Sequence, residues 1–495
     1  MNKFKKDKIV LIFPGAPRIQ IGPIIHLPLA SLSLAAWLEE KGNYSGKIKI
    51  FDTQLKTPTI DDFEDAAVIG ISAMTGLQVK YGLEIASLVR KSNSNALIVW
   101  GGIHSSLLPE QTLKHSLVDM VVIGEGEQSF LEIVNSVFNE DNLEGIPGTA
   151  FKKNNGEIVF GPKRDFLDLD ELPLPAYDLI DIKDYSGIEY QFDYQSSRGC
   201  PFRCGFCYNT NFCNRRWRKK SSSKVIKDLI YLHDKYGVIN FGFVDDEFFI
   251  NIKRAESIFD GIIQSKKKFG IIASCRLDMI QRFPSSLIDK MKQAGLTQIF
   301  FGAESGSDRI LKLIQKDITT EDIVKGAKKV AEKGIRPMLS FMSGFPEETL
   351  EDFKHTIELI LKLWETNPLI TINGIFPFNA YPGTNLYNKS KELGLKSPTS
   401  LEEWGTWTFQ YEPNNPWVNP VMKQWMEIAF YMVRFKYYIA RYKDRYKGKF
   451  KSKFIEVITS PFSKLVDLRM KKRWFNNAWE WKLFARIVRK TFGYL

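Results

Sequence analysis

No uninterrupted apolar stretch among the 495 residues is long enough to span a bilayer. The opening Met-Asn-Lys-Phe-Lys-Lys-Asp-Lys-Ile-Val-Leu-Ile-Phe-Pro has too short an apolar run for a secretory leader and meets Pro14 at once. It reads as a first buried strand with a basic start. Cysteine is scarce: there are five, and none in residues 1–199. That excludes a disulfide framework and fits a reducing cytoplasm.

The cysteines present are concentrated. The run Ser197-Arg198-Gly199-Cys200-Pro201-Phe202-Arg203-Cys204-Gly205-Phe206-Cys207-Tyr208 has the spacing C-x3-C-x2-C. Three thiolates on one short loop can hold three irons of a 4Fe–4S cluster and leave the fourth iron without a protein ligand. An open iron can chelate the amino and carboxylate groups of S-adenosylmethionine (SAM). Cys213 follows six residues on, so a closed four-thiolate zinc site is the alternative. Zinc sites usually pair two C-x2-C knuckles, and only one such spacing exists here. Cys275 stands alone in a strand-like run and reads as core.

Length suggests two or three domains, at roughly 100–200 residues each. A hydrophobic content of 44% with ordinary Gly and Pro describes a globular chain. The net charge of +12 is uneven. Residues 421–495 hold 19 Lys or Arg against 5 Asp or Glu, so the rest of the chain is close to neutral.

The first 140 residues alternate strand and helix signals. Lys8–Phe13, Lys47–Asp52, Ala67–Ser72, Ala96–Trp100 and Met120–Ile123 read as strands, with helices at Leu27–Lys41, Leu77–Lys91 and Gln128–Phe138. Near-continuous apolar strands separated by helices predict an open parallel sheet covered on both faces. Its strand ends are rich in glycine: Gly70, Gly101-Gly102 and Gly124-Glu125-Gly126. Glycine there lets a ligand approach the backbone. Residues 148–165 suggest a small hairpin around Asn154-Asn155-Gly156. The acidic, proline-containing stretch from Asp168 to Tyr177 suggests an extended linker.

From about 186 to 390 six strand–helix units follow, with strands at Tyr190–Ser196, Ile239–Val244, Gly270–Cys275, Gln298–Phe301, Arg336–Phe341 and Leu369–Phe376. Barrel sites form at strand carboxyl ends. There stand Val244-Asp245-Asp246-Glu247-Phe248, Ser274-Cys275-Arg276-Leu277-Asp278, Phe301-Gly302-Ala303-Glu304-Ser305-Gly306, Gly344-Phe345-Pro346-Glu347-Glu348-Thr349 and Tyr381-Pro382-Gly383-Thr384. The acids near 246 can bind the ammonium of SAM or cap the next helix. Arg276 can clamp a carboxylate or pair with a neighbouring acid. After 390 the alternation stops, and residues 421–495 read as helical, basic and aromatic.

The cysteine loop with Phe206, followed in order by these strand-end phrases, resembles the radical SAM superfamily. The phrases Pro28-Leu29-Ala30-Ser31-Leu32, Gly70-Ile71-Ser72-Ala73-Met74-Thr75, Gly101-Gly102-Ile103-His104 and Gly124-Glu125-Gly126-Glu127 resemble the cobalamin-binding domain that precedes many such barrels. The resemblance covers about residues 1–390. It implies an α/β chain: a Rossmann-like cobalamin domain at 1–147, hairpin and linker at 148–185, a partial (β/α)6 barrel at 186–390 and a C-terminal helical region at 391–495.

It further implies iron ligation by Cys200, Cys204 and Cys207. SAM contacts are implied at Phe206, Asp245, Asp246, Glu247, Arg276, Glu304, Ser305, Gly344 and Pro346. Cobalamin contacts are implied at Ser72, Thr75, Gly76, Gly101, Gly102, His104, Gly124, Glu125 and Gly126. No Asp-x-His-x-x-Gly string occurs, and His104 lacks that flanking pattern. The resemblance therefore implies that no histidine ligates cobalt.

The implied activity is methylation of an unactivated carbon, in which one SAM yields a 5′-deoxyadenosyl radical and cobalamin passes on a methyl group. A cobalamin-dependent cyclase or oxidoreductase is the alternative within the family. A methylthiotransferase needs further cluster cysteines, which residues 1–199 lack. A zinc-stabilised nucleic-acid-binding protein is the alternative from another class, and it leaves the strand-end phrases unexplained. The expected partners are a small-molecule or lipid-like substrate and an electron donor of flavodoxin or ferredoxin type, with no nucleic acid. The basic, Trp-rich tail adds the option of peripheral membrane contact for a cytoplasmic protein.

Overall fold

Alternating apolar residues build the first sheet in the computed structural model, which describes residues 6–16, 26–153, 155–185, 191–407, 415–445, 450–476, 478–481, 483 and 486. Its strands are β1 (Lys8–Phe13), β2 (Ile48–Asp52), β3 (Ala66–Ser72), β4 (Leu97–Gly101), β5 (Met120–Val122), β6 (Thr149–Lys152) and β7 (Ile158–Phe160). They lie in the order β2-β1-β3-β4-β5-β6-β7. The first five are parallel. Val10, Ile12, Ile69, Ile71, Ile98 and Trp100 point to one face, where they meet Val79, Ile85 and Val89 of helix Leu77–Ser92. Ile9, Leu11, Val68 and Val99 point to the other, against Ala35 and Leu38 of helix Leu29–Gly42 and Phe130 and Ile133 of helix Glu127–Asn139. Period-two alternation sorts these side chains between the two cores.

The hairpin after residue 148 belongs to the first sheet. Its strands β6 and β7 do not stand apart but extend the first sheet as antiparallel edge strands beside β5.

The second sheet is the barrel wall: β8 (Phe192–Tyr194), β11 (Asn240–Phe243), β12 (Gly270–Ser274), β13 (Leu296–Glu304), β14 (Arg336–Ser343) and β15 (Thr371–Pro377). The order β15-β14-β13-β12-β11-β8 leaves β8 and β15 as open edges, and every neighbouring pair is parallel. Two short strands, β9 (Ser197–Arg198) and β10 (Arg218–Lys219), pair antiparallel beyond β8. Capping boxes start two of the barrel helices, Thr319 with Asp322 and Thr349 with Asp352.

Helix Pro420–Arg445 packs along β15 and against helix Phe450–Lys471. No helix among the described residues is long and apolar enough to cross a membrane. Residues 1–5 of the opening, Asn154 of the hairpin, Tyr190 of the first barrel strand, and Lys482 and Phe484 of the tail lie outside the described residues.

Candidate functional site

The cysteine loop is closed at its base and held on both flanks. Pairing of β9 with β10 brings its two ends together. The Gly205 amide donates to the Ile314 carbonyl at 2.8 Å, and the Leu386 amide donates to the Gly205 carbonyl at 2.9 Å. Cys200, Cys204 and Cys207 are free and half-buried. Burial pushes the Cys200 and Cys207 thiols up to about 12, with nearby acids adding to the effect. Cys213 is buried, and its thiol donates to the Asn209 carbonyl at 2.7 Å. Among the described residues, no three His, Cys, Asp or Glu side chains converge on a single-ion site.

The strand-end acids divide into two groups. Asp245 accepts four bonds, from the amides of Ser196 at 2.6 Å and Ser197 at 3.0 Å and from their hydroxyls at 2.5 and 2.9 Å. Its carboxylate thus fixes the strand that leads into the cysteine loop. Asp246 accepts from the Gly199 amide at 2.9 Å, next to Cys200. Glu247 is buried, and that burial raises it to about 8.

Arg276, Ser305 and Glu304 also have partners within the protein. Arg276 is committed to Asp278 at 2.9 Å and to the Lys316 carbonyl at 2.7 Å, and it lies 3.9 Å over the Phe202 ring. Ser305 is fully buried, and its hydroxyl is held by Thr356 and the Ser307 amide. Glu304 pairs with the buried Lys316 at 2.9 Å. The Glu304 backbone is left-handed, with φ of 64°, an uncommon conformation for a side chain of this kind.

Gly344, with φ of 88°, turns the loop after β14. Phe345 brings its ring to 6.1 Å from Phe206 of the cysteine loop, and Pro346 is buried beside it. The carboxylate of Glu348 accepts from the Gly344 amide at 2.6 Å, the Phe345 amide at 3.0 Å and the Ser343 hydroxyl at 3.1 Å. Trp417 and Asn415, beyond the barrel, donate to the Gly344 carbonyl at 2.9 and 3.3 Å. Glu348 was not singled out from the sequence, although it sits in a phrase that was.

The ends of β3, β4 and β5 face the cysteine loop across a cavity of about 380 Å³. Ser72, Gly101, Gly102, Gly124, Glu125 and Gly126 line it from the first sheet. Tyr208, Phe212, Cys213 and Asp246 line it from the barrel side. A Cβ on Gly124 would meet nothing within 4 Å, and one on Gly101 only Val122 at 3.9 Å. The wall therefore offers the kind of open, glycine-lined face that a flat macrocycle needs.

Thr75, Gly76 and His104 do not line this cavity. Gly76, with φ of 106°, opens helix Leu77–Ser92. His104 is fully buried, takes a 2.9 Å bond with the Thr75 hydroxyl and packs edge-on to Trp404 at 5.7 Å. Burial lowers it to about 4.

Arg198 and Arg218 were also missed. Arg218 forks onto Glu125, with one arm at 3.1 Å, and Arg198 reaches Glu127 at 2.7 Å. These pairs join the base of the cysteine loop to the Gly-Glu-Gly-Glu turn. The adjacency of Arg198 to Gly199-Cys200 was the available signal, but nothing in the sequence names its partner.

Comparison with known proteins agrees with this architecture. The Radical SAM superfamily model matches residues 194–360, and the B12 binding domain model matches residues 23–134. The chain is 34% identical to an uncharacterized methyltransferase of Pyrococcus horikoshii, over 85% of this chain and 88% of that protein. It is 27% identical to the anaerobic magnesium-protoporphyrin IX monomethyl ester cyclase of Synechocystis, over 55% of each chain. In fold it is similar to the cobalamin-dependent S-adenosylmethionine radical enzyme OxsB, solved with aqua-cobalamin and SAM bound. That match has a TM-score of 0.75 and 18% identity, over 98% of this chain and 75% of the other. The chain belongs to the radical SAM superfamily, in the branch that carries a B12 binding domain ahead of the barrel.

Proposed function

We propose that this chain transfers a methyl group to an unactivated carbon of a small molecule. The observation that carries the reading is the cavity shared by the glycine-rich strand ends and the cysteine loop. When bound, the 4Fe–4S cluster supplies the electron that cleaves SAM, and cobalamin supplies a methyl carrier.

In this reading Cys200, Cys204 and Cys207 hold three irons, and the inward-turned Cys213 stays out. Asp246, Glu247 and the Glu304–Lys316 pair surround the polar end of SAM. The Gly344–Pro346 turn, pressed against Phe206 and fixed from behind by Glu348, backs its adenine. Asp245, Arg276 and Ser305 are positioning residues. Ser72, Gly101, Gly102, Gly124 and Gly126 receive cobalamin, and Arg198 and Arg218 hold that face against the cluster loop.

Methyl transfer is favoured over cyclisation because the methyltransferase relative matches 85% of the chain, whereas the cyclase relative matches 55%. The test is anaerobic purification followed by iron, cobalt and 5′-deoxyadenosine assays. A chain that binds iron but no cobalamin contradicts the proposal. The chemistry also requires an external one-electron donor, of flavodoxin or ferredoxin type.

A peripheral membrane contact of a cytoplasmic enzyme is the second part of the proposal. Trp479 is 71% exposed and Trp474 51%, while Phe475 and Trp481 are buried. The tail therefore divides its aromatics between a packed face and an open one. Phe462 and Leu468 are also exposed, amid the charges of a strongly basic segment. Tryptophan favours the headgroup level, and Lys or Arg near an anionic leaflet contributes roughly 1 kcal/mol each. Flotation with anionic vesicles tests this. Salt-sensitive binding that Trp474→Ser and Trp479→Ser together remove supports it, and absence of binding ends it. Truncation at Pro420 is unsuitable, because Ile428, Ala429 and Val433 are fully buried in the helix that covers β15.

A further inference from the structure

The cysteine loop and the turn that follows it have two sides. Gly199, Tyr208, Asn209, Phe212 and Cys213 line the cavity between the domains. Arg203, Asn214, Arg215 and Arg216 do not line it and are exposed. Outside residues 421–495 the chain is close to neutral, so three exposed arginines on one loop are a local concentration and not a general excess.

The outer side is held in place. Arg203 forks onto Asp317, with Nε at 2.9 Å and a terminal nitrogen at 3.0 Å. The hydrogen bonds from Arg203 hold the Asp317 carboxyl below its usual range, and the charges of Arg276 and Arg215 add to the effect. Arg203 and Arg215 therefore flank one carboxylate. Arg215 Nε also donates to the Pro201 carbonyl at 3.1 Å. Asn214 and Arg215 both have left-handed backbones, with φ of 50° and 56°, an uncommon conformation for arginine. The Arg216 amide closes this turn onto the Cys213 carbonyl at 2.9 Å. A Cβ on Gly199 would come within 2.0 Å of the Arg216 carbonyl oxygen, so the turn packs directly on the residue before Cys200. On the other flank, helix Asp308–Leu313 carries the exposed Lys312, two residues before Ile314, whose carbonyl holds the Gly205 amide at 2.8 Å.

We infer that this outer side, formed by Arg203, Arg215, Arg216 and Lys312, is the docking surface for an acidic electron donor of flavodoxin type. The inner side of the loop faces the cofactor cavity, and the outer side is open to a protein partner. Arg203 adjoins Cys204, and Arg216 packs beside Cys200, so a partner seated here stands next to the cluster ligands. Guanidinium groups match carboxylates two-pronged, and a positive patch steers an acidic partner to it. The step is one electron: the donor flavin goes from anionic hydroquinone to neutral semiquinone, the cluster goes from its oxidised to its reduced state, and no proton moves. The inference deepens the proposed function and rests on it for the need of an external electron.

Two readouts on the anaerobically reconstituted, full-length protein test it: binding of dye-labelled, oxidised flavodoxin by fluorescence anisotropy, and the rate at which flavodoxin hydroquinone bleaches the cluster absorbance. Binding is expected to weaken from low to moderate salt, as the screening length shrinks toward about 8 Å. Arg215→Glu with Arg216→Glu should weaken binding and slow reduction by flavodoxin roughly tenfold or more. Reduction by photoreduced 5-deazariboflavin, a small uncharged reductant, should stay at the native rate. Lys312→Glu, outside the loop, should weaken flavodoxin binding in the same direction. Lys253→Glu with Lys362→Glu, an equal charge reversal at exposed positions of two barrel helices, should leave binding as it is. Flavodoxin binding that survives the arginine reversals overturns the inference. So does an equal loss from the Lys253 and Lys362 pair, which would reflect net charge alone, or a deazariboflavin rate that falls as far as the flavodoxin rate. Tighter binding of a single-stranded RNA oligonucleotide than of flavodoxin assigns the face to nucleic acid and overturns it too. Failure of methyl transfer itself is read separately, from the absence of cobalamin-dependent methyl product, and would not move flavodoxin binding.

Discussion

Arg198 and Glu127 tie the cysteine loop to the first domain: a guanidinium nitrogen of Arg198 lies 2.7 Å from a Glu127 carboxylate oxygen, two residues before Cys200. Ser33 adds a bond to the same oxygen at 2.8 Å, and Glu125 stands 3.5 Å from the other side of Arg198. The side chains are 17% and 5% exposed. Burial would push Glu127 up, but the charge and hydrogen bonds of Arg198 outweigh it and hold the carboxyl below its usual range. This ion pair, together with that of Arg218 and Glu125, ties the two faces of the cavity.

Removing Glu127 leaves Arg198 with only its 3.5 Å contact to Glu125, which Arg218 already holds. Glu127→Ala should cost about 3–5 kcal/mol, measured by urea unfolding at neutral pH. In the native chain the contribution of Glu127 is complete above its unfolded pKa and is lost as pH falls through the lower folded value. An unchanged unfolding midpoint in Glu127→Ala contradicts the role given to the pair.

The cysteines should separate cleanly. Alanine at Cys200, Cys204 or Cys207 is expected to abolish cluster iron and 5′-deoxyadenosine formation. Cys213→Ala should keep both, with only a modest loss of stability from the vacated buried position. Iron retained in Cys204→Ala, or lost in Cys213→Ala, reverses the assignment.

The sequence made the strands legible because the second sheet and the first five strands of the first are parallel and largely buried, so each reads as a compact apolar run. Lys8–Phe13 falls where the run falls, and all six barrel strands lie within a few residues of their expected positions. The hairpin β6–β7 was recognised as a hairpin, but its attachment to β5 depends on pairing that no local pattern encodes. At the site, residue type exposed the cysteines and the strand-end acids. It could not show that Asp245 is occupied by Ser196 and Ser197, that Arg276 is occupied by Asp278, or that Arg198 meets Glu127. Those facts are long-range pairings, and a sequence records only one member of each. Likewise, helical spacing could not tell the buried Trp481 from the exposed Trp479.

Glu348 provides a pH signature. Burial raises it from 4.5 to about 7, against opposing bonds from the Phe345 and Gly344 amides and Ser343. The folded chain then holds a proton that the unfolded chain releases. The stability this group contributes is complete below about pH 4.5 and is lost as pH rises toward 7. Compared with native protein, Glu348→Gln should show a flatter dependence of unfolding free energy on pH across that window. Parallel curves for the two proteins contradict it.

The cavity wall can be tested by filling it. Gly101 has an ordinary φ, and a Cβ there points into open space. Gly101→Val should keep the fold while lowering cobalamin retention by about tenfold or more, the scale of one steric clash at a close contact. Unchanged cobalt content after gel filtration places the corrin elsewhere. In cobalamin-loaded native protein, the electron paramagnetic resonance spectrum of the cobalt(II) form should lack nitrogen splitting from His104, whose ring is buried away from the cavity.

The most direct measurement of the central claim is the fate of a labelled methyl group. The full-length protein is incubated anaerobically with trideuteromethyl-SAM, reductant, cobalamin and cell extract, and the small molecules are analysed by mass spectrometry. The expected result is a product in which one hydrogen is replaced by a trideuteromethyl group, accompanied by both 5′-deoxyadenosine and S-adenosylhomocysteine, and absent with Cys204→Ala. Formation of 5′-deoxyadenosine with no labelled product and no S-adenosylhomocysteine would contradict methyl transfer and favour a cyclase or oxidoreductase.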